Sequence, residues 1–521
     1  MAATAQIDGL LPVKARDLWK IGDAGVLAAY ACVVLWTLQY HEKWADEAQA
    51  WLIARDLDLG TIWFHELRYE GSPGLWHTIL WAAQHVFHAG YGALGYIAAA
   101  CAVAGSAVLL FLAPFPRHIR WPLAFTYVIV YQYAVIARPY TLLPLLAFLA
   151  AYSFRGADHP VRMTVILTLM ALLTAHGTIL AGCLGLAYLI NAASRWIRLE
   201  KALRQTYAVC SLAMVCVFAF AFAIVKPSPD VEEIVLKNQL ARASEDVLAN
   251  FPTLYQKIIA VISGAFIDYF IPSVILLVLF GAWCVWRRQW LTFVLPVGAL
   301  LAFYVFVHGA AHHHGTVFIA AVAGLWIAWP SPQEVVVFRT TERNLLLGVN
   351  GLLLTLCFFN VWDSAVVIAR EYKFPYCGGA DAARYLKSVE ADRTPMFGFL
   401  FGVVAVQAYF DRNIFENNPH AYFHHGLPLE SASLNLDELN RDKPEYIVAY
   451  SNDPQAMVKI GVPELTSRGY ELVHFSDGYY LYKRGVFERE VYFIFKRSQI
   501  TSDWPNVAEP GNGQMLLSGR P

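Results

Sequence analysis

Charge is what this sequence has least of. Asp, Glu, Lys and Arg make up 15% of its 521 residues, whereas 57% are hydrophobic. A soluble globular chain carries roughly 25% charged residues, so the deficit excludes a soluble fold of this length. The charges nearly cancel, to a net −1. That excludes nucleic-acid binding through bulk electrostatics. Cysteine is sparse as well. The eight cysteines are scattered, most of them inside apolar runs (Cys32, Cys101, Cys210, Cys216, Cys284, Cys357), and no CxxC pair occurs. Neither a zinc site nor a disulfide framework is signalled. Internal repeats and low-complexity tracts are also lacking.

What is present is a series of apolar runs and 14% aromatic residues, as expected where Trp and Tyr sit at two membrane interfaces. The expectation is a mostly α, polytopic membrane bundle. Ile21–Tyr40 has no small-residue cleavage site after it and reads as a retained helix rather than a signal peptide. Basic clusters fall at Lys14–Lys20, Arg117–Arg120, Arg155–Arg162, Arg195–Arg204, Arg287–Arg288 and Arg339–Arg343. If all are cytoplasmic, an even number of crossings separates each from the next. About eleven transmembrane helices satisfy this, from Ile21–Tyr40 to Leu345–Trp362, with Trp121–Ile136 among them. Leu75–Phe87 is short, carries His77, Gln84 and His85, and reads as an interfacial helix.

The domain reading follows. Residues 1–20 form a cytoplasmic N-terminus and 21–362 the transmembrane domain, with a first outer loop over 41–91. Residues 363–497 form a small extracytoplasmic α/β domain, and 498–521 a disordered tail rich in Pro, Gly and Ser. Lys226–Gln256 is a long polar outer loop. Ala380–Val389 and Val403–Phe410 read as helices. Pro395–Leu400, Tyr446–Tyr450, Tyr470–Phe475, Tyr479–Lys483 and Val491–Phe495 read as strands.

This topology gathers unusual polar residues at one membrane face. Asp46 and Glu47 follow the first helix, where a carboxylate suits the start of the next one; the ordinary reading is a helix cap. Tyr69 and Glu70 precede a Gly-Ser-Pro-Gly turn. Arg138, before Pro139 and Tyr140, stands on the side that the positive-inside bias disfavours. His176-Gly177 is either a helix cap or a donor. His312, His313 and His314 are consecutive, and neighbours on a helix point about 100° apart, so they suit an anion better than one metal ion. One acidic pair beside several donors is the layout for transfer from a phosphorylated lipid. The carboxylate would take a proton from the acceptor, and Arg and His would hold the departing phosphate.

With these residues the sequence resembles the GT-C membrane glycosyltransferases. Within them it is similar to the polyprenyl-phosphate-sugar-dependent group, that is, the family 39 protein O-mannosyltransferases and the lipid A aminoarabinose transferases. The resemblance covers Ile21 to about Trp329 and rests on short motifs. It implies Asp46 as the aspartate that acts as base or orients the acceptor, with Glu47 beside it, and Arg138, His176, His312, His313 and His314 on the donor phosphate. Tyr69, Glu70 and Tyr140 would serve the acceptor or the loop. Glu70-Gly71-Ser72-Pro73 stands where relatives have Lys-Pro or Pro-Pro, so the lysine some use on the phosphate is missing. His176-Gly177 stands where several have Lys-Gly. The resemblance implies inverting transfer without cofactor or bound metal, from a polyprenyl-phosphate-linked sugar to a glycan, lipid or protein hydroxyl. It places the enzyme in a bacterial-type inner membrane, with its site on the periplasmic or extracellular side. A transporter or flippase for a lipid-linked or anionic solute is the alternative; it calls for midplane polar groups and repeated broken helices.

Overall fold

The structure is a computed structural model. It describes residues 13–156, 158–226, 228–229, 251–306, 310–424, 436–485 and 487–498. Outside them lie most of the N-terminal segment, the centre of the Lys226–Gln256 loop, part of Asp411–Asn440 and nearly all of the tail.

Among the described residues, fourteen helices of eight residues or more carry the first part of the chain. They are α1 (Val13–Leu38), α2 (Ala45–Asp56), α3 (Leu75–His85), α4 (Ala93–Leu112), α5 (Arg117–Ala124), α6 (Leu143–Arg155) and α7 (Pro160–Ala171). After them come α8 (Ala175–Ala193), α9 (Lys201–Val225), α10 (Phe251–Ala265), α11 (Phe270–Trp286), α12 (Leu291–Phe306), α13 (Gly315–Ala328) and α14 (Thr340–Lys373). Among the described residues, five helices are long and apolar enough to cross a membrane: Lys20–Leu38 within α1, α4, α8, α9 and α14. The α10–α11 pair, bent by 70°, makes a sixth if it counts as one span. Large apolar side chains stand exposed along these helices, Phe222 at 71% and Phe358 at 69% among them. A surface of that kind faces lipid.

Eleven full spans are not confirmed among the described residues, because several of the helices are short. α6, α7, α12 and α13 have 13, 12, 16 and 14 residues, or about 18–24 Å at 1.5 Å per residue. A bilayer core is about 30 Å thick. α13 is buried on every side, so protein rather than lipid surrounds it. The expected crossing Trp121–Ile136 is broken. α5 contains Pro122 and stops at Phe125, and a π-helical turn follows at Val128–Gln132. The last helix does not end at Trp362. α14 runs on to Lys373, with Asp363, Ser364 and Glu371 buried along it.

The C-terminal sheet has strands β1 (Met396–Phe399), β2 (Tyr446–Ser451), β3 (Tyr470–Leu481) and β4 (Phe487–Arg497) in the order β1-β2-β4-β3. β1 and β2 are parallel and the other pairs antiparallel. β3 joins two of the expected strands, with an irregularity at Leu472/His474. One face buries Ile447, Val491, Phe493 and Phe495. The turn after β3 is fastened into the helical domain. Lys483 Nζ donates to the Gly264 and Phe266 carbonyls at the end of α10, at 2.8 and 3.0 Å. Arg484, at φ +58°, donates to the Asp268 carbonyl and lies 3.9 Å over the Tyr269 ring. Cations suit the carbonyl end of a helix.

Candidate active site

α2 presents its two acidic residues in different directions, and the difference starts with capping. Glu47, third in the helix, accepts from the Trp44 backbone N–H at 3.1 Å. Glu47 is therefore the carboxylate that closes this helix end, not Asp46. Its other oxygen accepts from the Ala137 N–H at 2.7 Å. His41 then bridges Glu47 and Glu371, at 3.0 and 2.8 Å, with all three side chains at most 1% exposed. Tyr131 also donates to Glu371. Burial disfavours a charged His41, yet the two carboxylates outweigh it and push its pKa up to about 10. Burial alone would raise Glu47; the His41 charge and the two N–H donors hold it below the ordinary carboxylate range. This clamp ties the first loop, α14 and the segment before Arg138 together.

Asp46 pairs with an arginine that lines a cavity. Its carboxylate meets Arg138 Nη2 at 2.9 Å, and both side chains keep partial access to solvent, at 20% and 17%. Pro139 keeps Arg138 extended (φ −121°, ψ 166°). The neighbouring Ala137 amide is pinned by Glu47. The guanidinium lies 5.4 Å from the Trp44 ring and 5.5 Å from the Tyr140 ring. Arg138 Nη1 is enclosed but has no hydrogen-bond partner among the described residues. The cavity measures about 30 Å³ and is lined by Trp44, Gln132, Tyr133, Arg138, Tyr140, His312, Tyr376, Tyr480 and Tyr482 among others.

The expected donors divide. Tyr140 hydroxyl and His176 Nδ1 are 3.0 Å apart, and the His176 and His313 rings lie 4.7 Å apart. His176 is at the start of α8, not its end: Thr174 caps that helix by accepting from the Gly177 N–H at 2.9 Å. A Cβ on Gly177 would collide with the Met170 carbonyl, so the glycine permits α8 to begin against α7. His312 turns toward Trp44, with ring centroids 6.1 Å apart. His313 sits 5.6 Å from Tyr140. His314 leaves this group and packs at Gly264 and Tyr304. Burial, with nearby Lys483, lowers its pKa to about 4, so it stays neutral. A Cβ on Gly315 would meet Gln132 and Tyr133 at 2.9 Å; its bareness lets α13 start at the cavity wall.

Tyr69 and Glu70 lie elsewhere, where the first loop meets the C-terminal domain. Gln49 donates to Glu70 at 2.9 Å and accepts from the Phe423 N–H at 3.1 Å. The Tyr69 ring stacks on His424 at 4.1 Å, and His424 reaches Glu66 at 3.2 Å. Sequence reading missed Trp44, Tyr376, Tyr480 and Tyr482 of the cavity, and also His41 and Glu371. Trp44 lies two residues before Asp46, where nothing in the sequence sets it apart from the other aromatics. His41 lies in the same loop with no local pattern to mark it, and Glu371, Tyr376, Tyr480 and Tyr482 come from segments more than 300 residues away.

No protein-family model matches this sequence, and no curated protein sequence does. Among solved structures the chain is similar to ArnT from Cupriavidus metallidurans in the apo state. The two are 13% identical with a TM-score of 0.49, over 92% of this chain and 98% of that one. Likeness at that level assigns neither family nor activity.

Proposed function

We propose that this chain is a GT-C membrane glycosyltransferase. It moves a sugar from a polyprenyl-phosphate donor to a hydroxyl of an extracytoplasmic glycan, lipid or protein. The observation that carries this reading is the Asp46–Arg138 pair at 2.9 Å, its arginine lining an aromatic cavity and keeping a second guanidinium nitrogen without a hydrogen-bond partner among the described residues. A carboxylate and an arginine in that relation supply a base and a phosphate ligand. Asp46 takes the proton of the acceptor hydroxyl as its oxygen bonds the anomeric carbon. The bond from that carbon to the phosphate oxygen breaks, and the phosphate leaves with the electron pair. Arg138 meets the charge that develops on it. His176 and His313 stand at the starts of α8 and α13, where aligned N–H groups favour an anion.

The resting pair also gates the base. While Arg138 holds Asp46, the carboxylate is engaged by the guanidinium rather than by an acceptor hydroxyl. Donor phosphate competes for the guanidinium and frees it, so the base is released only when donor is bound. The cavity of about 30 Å³ holds a water or two. Entry of a sugar phosphate therefore displaces Trp44 or the Tyr480–Tyr482 segment.

The test uses purified protein with a panel of radiolabelled polyprenyl-phosphate sugars. Release of polyprenyl phosphate by the wild-type protein, absent in Asp46→Asn, supports the enzyme. Uptake or exchange of the intact lipid-linked sugar, without cleavage, would replace it with a transporter. Full transfer by a folded Asp46→Asn would overturn the role of Asp46.

A further inference from the structure

A second cavity lies between α7, α8 and α9, toward the end of the bundle away from Arg138. It measures about 200 Å³ and its walls are apolar. Each helix contributes one face: Met163 and Leu167 from α7, Gly182 and Gly185 from α8, Met214 and Phe218 from α9. Along α9 the lining runs from Tyr207 to Phe218, about 16 Å of helix. The two glycines keep the floor open; a Cβ on Gly182 would touch only Phe218, at 3.8 Å.

One end of this groove is polar. Tyr188 and Tyr207 both line it, with hydroxyls 3.1 Å apart. Tyr207 donates to Asp158 at 2.8 Å, and Arg195 pairs with Asp158 at 2.9 Å. Arg204 is one turn before Tyr207 on the same face of α9. Its Nε is enclosed and has no hydrogen-bond partner among the described residues. From 158 to 204 the chain carries five basic side chains (Arg162, Arg195, Arg198, Lys201, Arg204) against two acidic ones (Asp158, Glu200). All of them sit at helix ends on this side, so the polar end of the groove is positive. Beside it, Trp196 and Ile197 stand 39% and 93% exposed, as membrane-surface anchors do.

We propose that this groove is a binding site for an anionic phospholipid of the leaflet opposite the Arg138 site. One acyl chain lies against the glycine floor, and the headgroup phosphate meets Arg204 and Arg195. Charge complementarity selects an anionic over a zwitterionic headgroup. Orientation argues against the polyprenyl tail of a donor. α8 begins at His176, beside the Arg138 cavity, and the groove's basic end is at the other end of that helix, so a lipid with phosphate at Arg138 would lie the wrong way round.

The test is native mass spectrometry and thermal melting of the full-length protein in detergent. The probes are dioleoyl phosphatidylglycerol, dioleoyl phosphatidylcholine and undecaprenyl phosphate. The wild-type protein should retain and be stabilised by phosphatidylglycerol. Arg204→Gln should weaken retention about fivefold, the worth of one basic side chain at an anionic surface. Gly182→Leu should abolish it by filling the floor, and if that variant fails to fold, Arg204→Gln decides alone. Equal retention of phosphatidylcholine, preference for undecaprenyl phosphate, or unchanged binding by Arg204→Gln would overturn the site.

Discussion

Asp46 and Glu47 are neighbours on α2, and the regions they enter differ in almost every physical respect. Around Glu47 every partner is present: two backbone N–H donors, His41, and through it Glu371. That region is fully buried and fully paired, as a buried charge must be to persist. Around Asp46 the pairing is incomplete. Arg138 gives it one nitrogen and keeps another without a hydrogen-bond partner among the described residues, and both side chains reach solvent. Successive helix residues point about 100° apart, so one turn of α2 serves both a fixed clamp and an unfinished site. The clamp sets the backbone at Ala137, and the site takes its arginine from the next residue.

Neutralising each carboxylate separates the two regions most sharply. Asp46→Asn removes the proposed base, so transfer should fall by about 100- to 10 000-fold, the range for a lost general base. Its melting temperature should stay near that of the wild-type protein, because the pair is partly exposed. Arg138→Gln comes next, with a loss of about 100- to 1000-fold expected from removing one stabilising donor. Both are read by polyprenyl-phosphate release. Glu47→Gln should act through stability instead. It takes one of the two carboxylates from His41 and weakens the charged hydrogen bonds that Glu47 accepts in a fully buried site, a change that costs about 1.5–3 kcal/mol. Its melting temperature should fall well below that of Asp46→Asn. If the two variants melted together, the contrast between clamp and site would be broken.

What the sequence made legible follows the same division. Scarce charge and apolar runs point to a helical membrane domain, and segments rich in Tyr, Val, Ile and Phe to strands. α2, α3, α15 (Gly379–Ser388) and all four strands lie within a few residues of expectation, apart from the merging of two strands into β3. Arg138 was marked by its unusual side and by Pro139. The clamp was not, because His41 and Glu371 are 330 residues apart and each alone looks like an ordinary helix-end residue. Hydropathy registers apolar runs but not the broken turns between them, so the short helices α6, α7, α12 and α13 leave the number of spans unconfirmed. His314 looked equivalent to His312 and His313; only the packing of α10 and the Lys483 turn against it sets it apart.

The smallest expected effect is on pH dependence, and it distinguishes two buried imidazoles. His41, at about 10 in the folded protein, lies above its ordinary 6.5. Its contribution to stability is therefore complete below about pH 6.5 and lost as pH rises through 10. His314, at about 4, lies below 6.5. The unfolded ring takes up a proton that the folded one refuses, so stability falls as pH drops from 6.5 toward 4. The melting temperature of the purified protein should decline on both sides of a maximum near pH 6.5. His41→Gln should flatten the alkaline side and leave the acid side, and His314→Gln the reverse. An alkaline limb unchanged in His41→Gln would mean that the clamp does not hold a charged imidazole, and its difference from the Asp46–Arg138 site would then be one of burial alone.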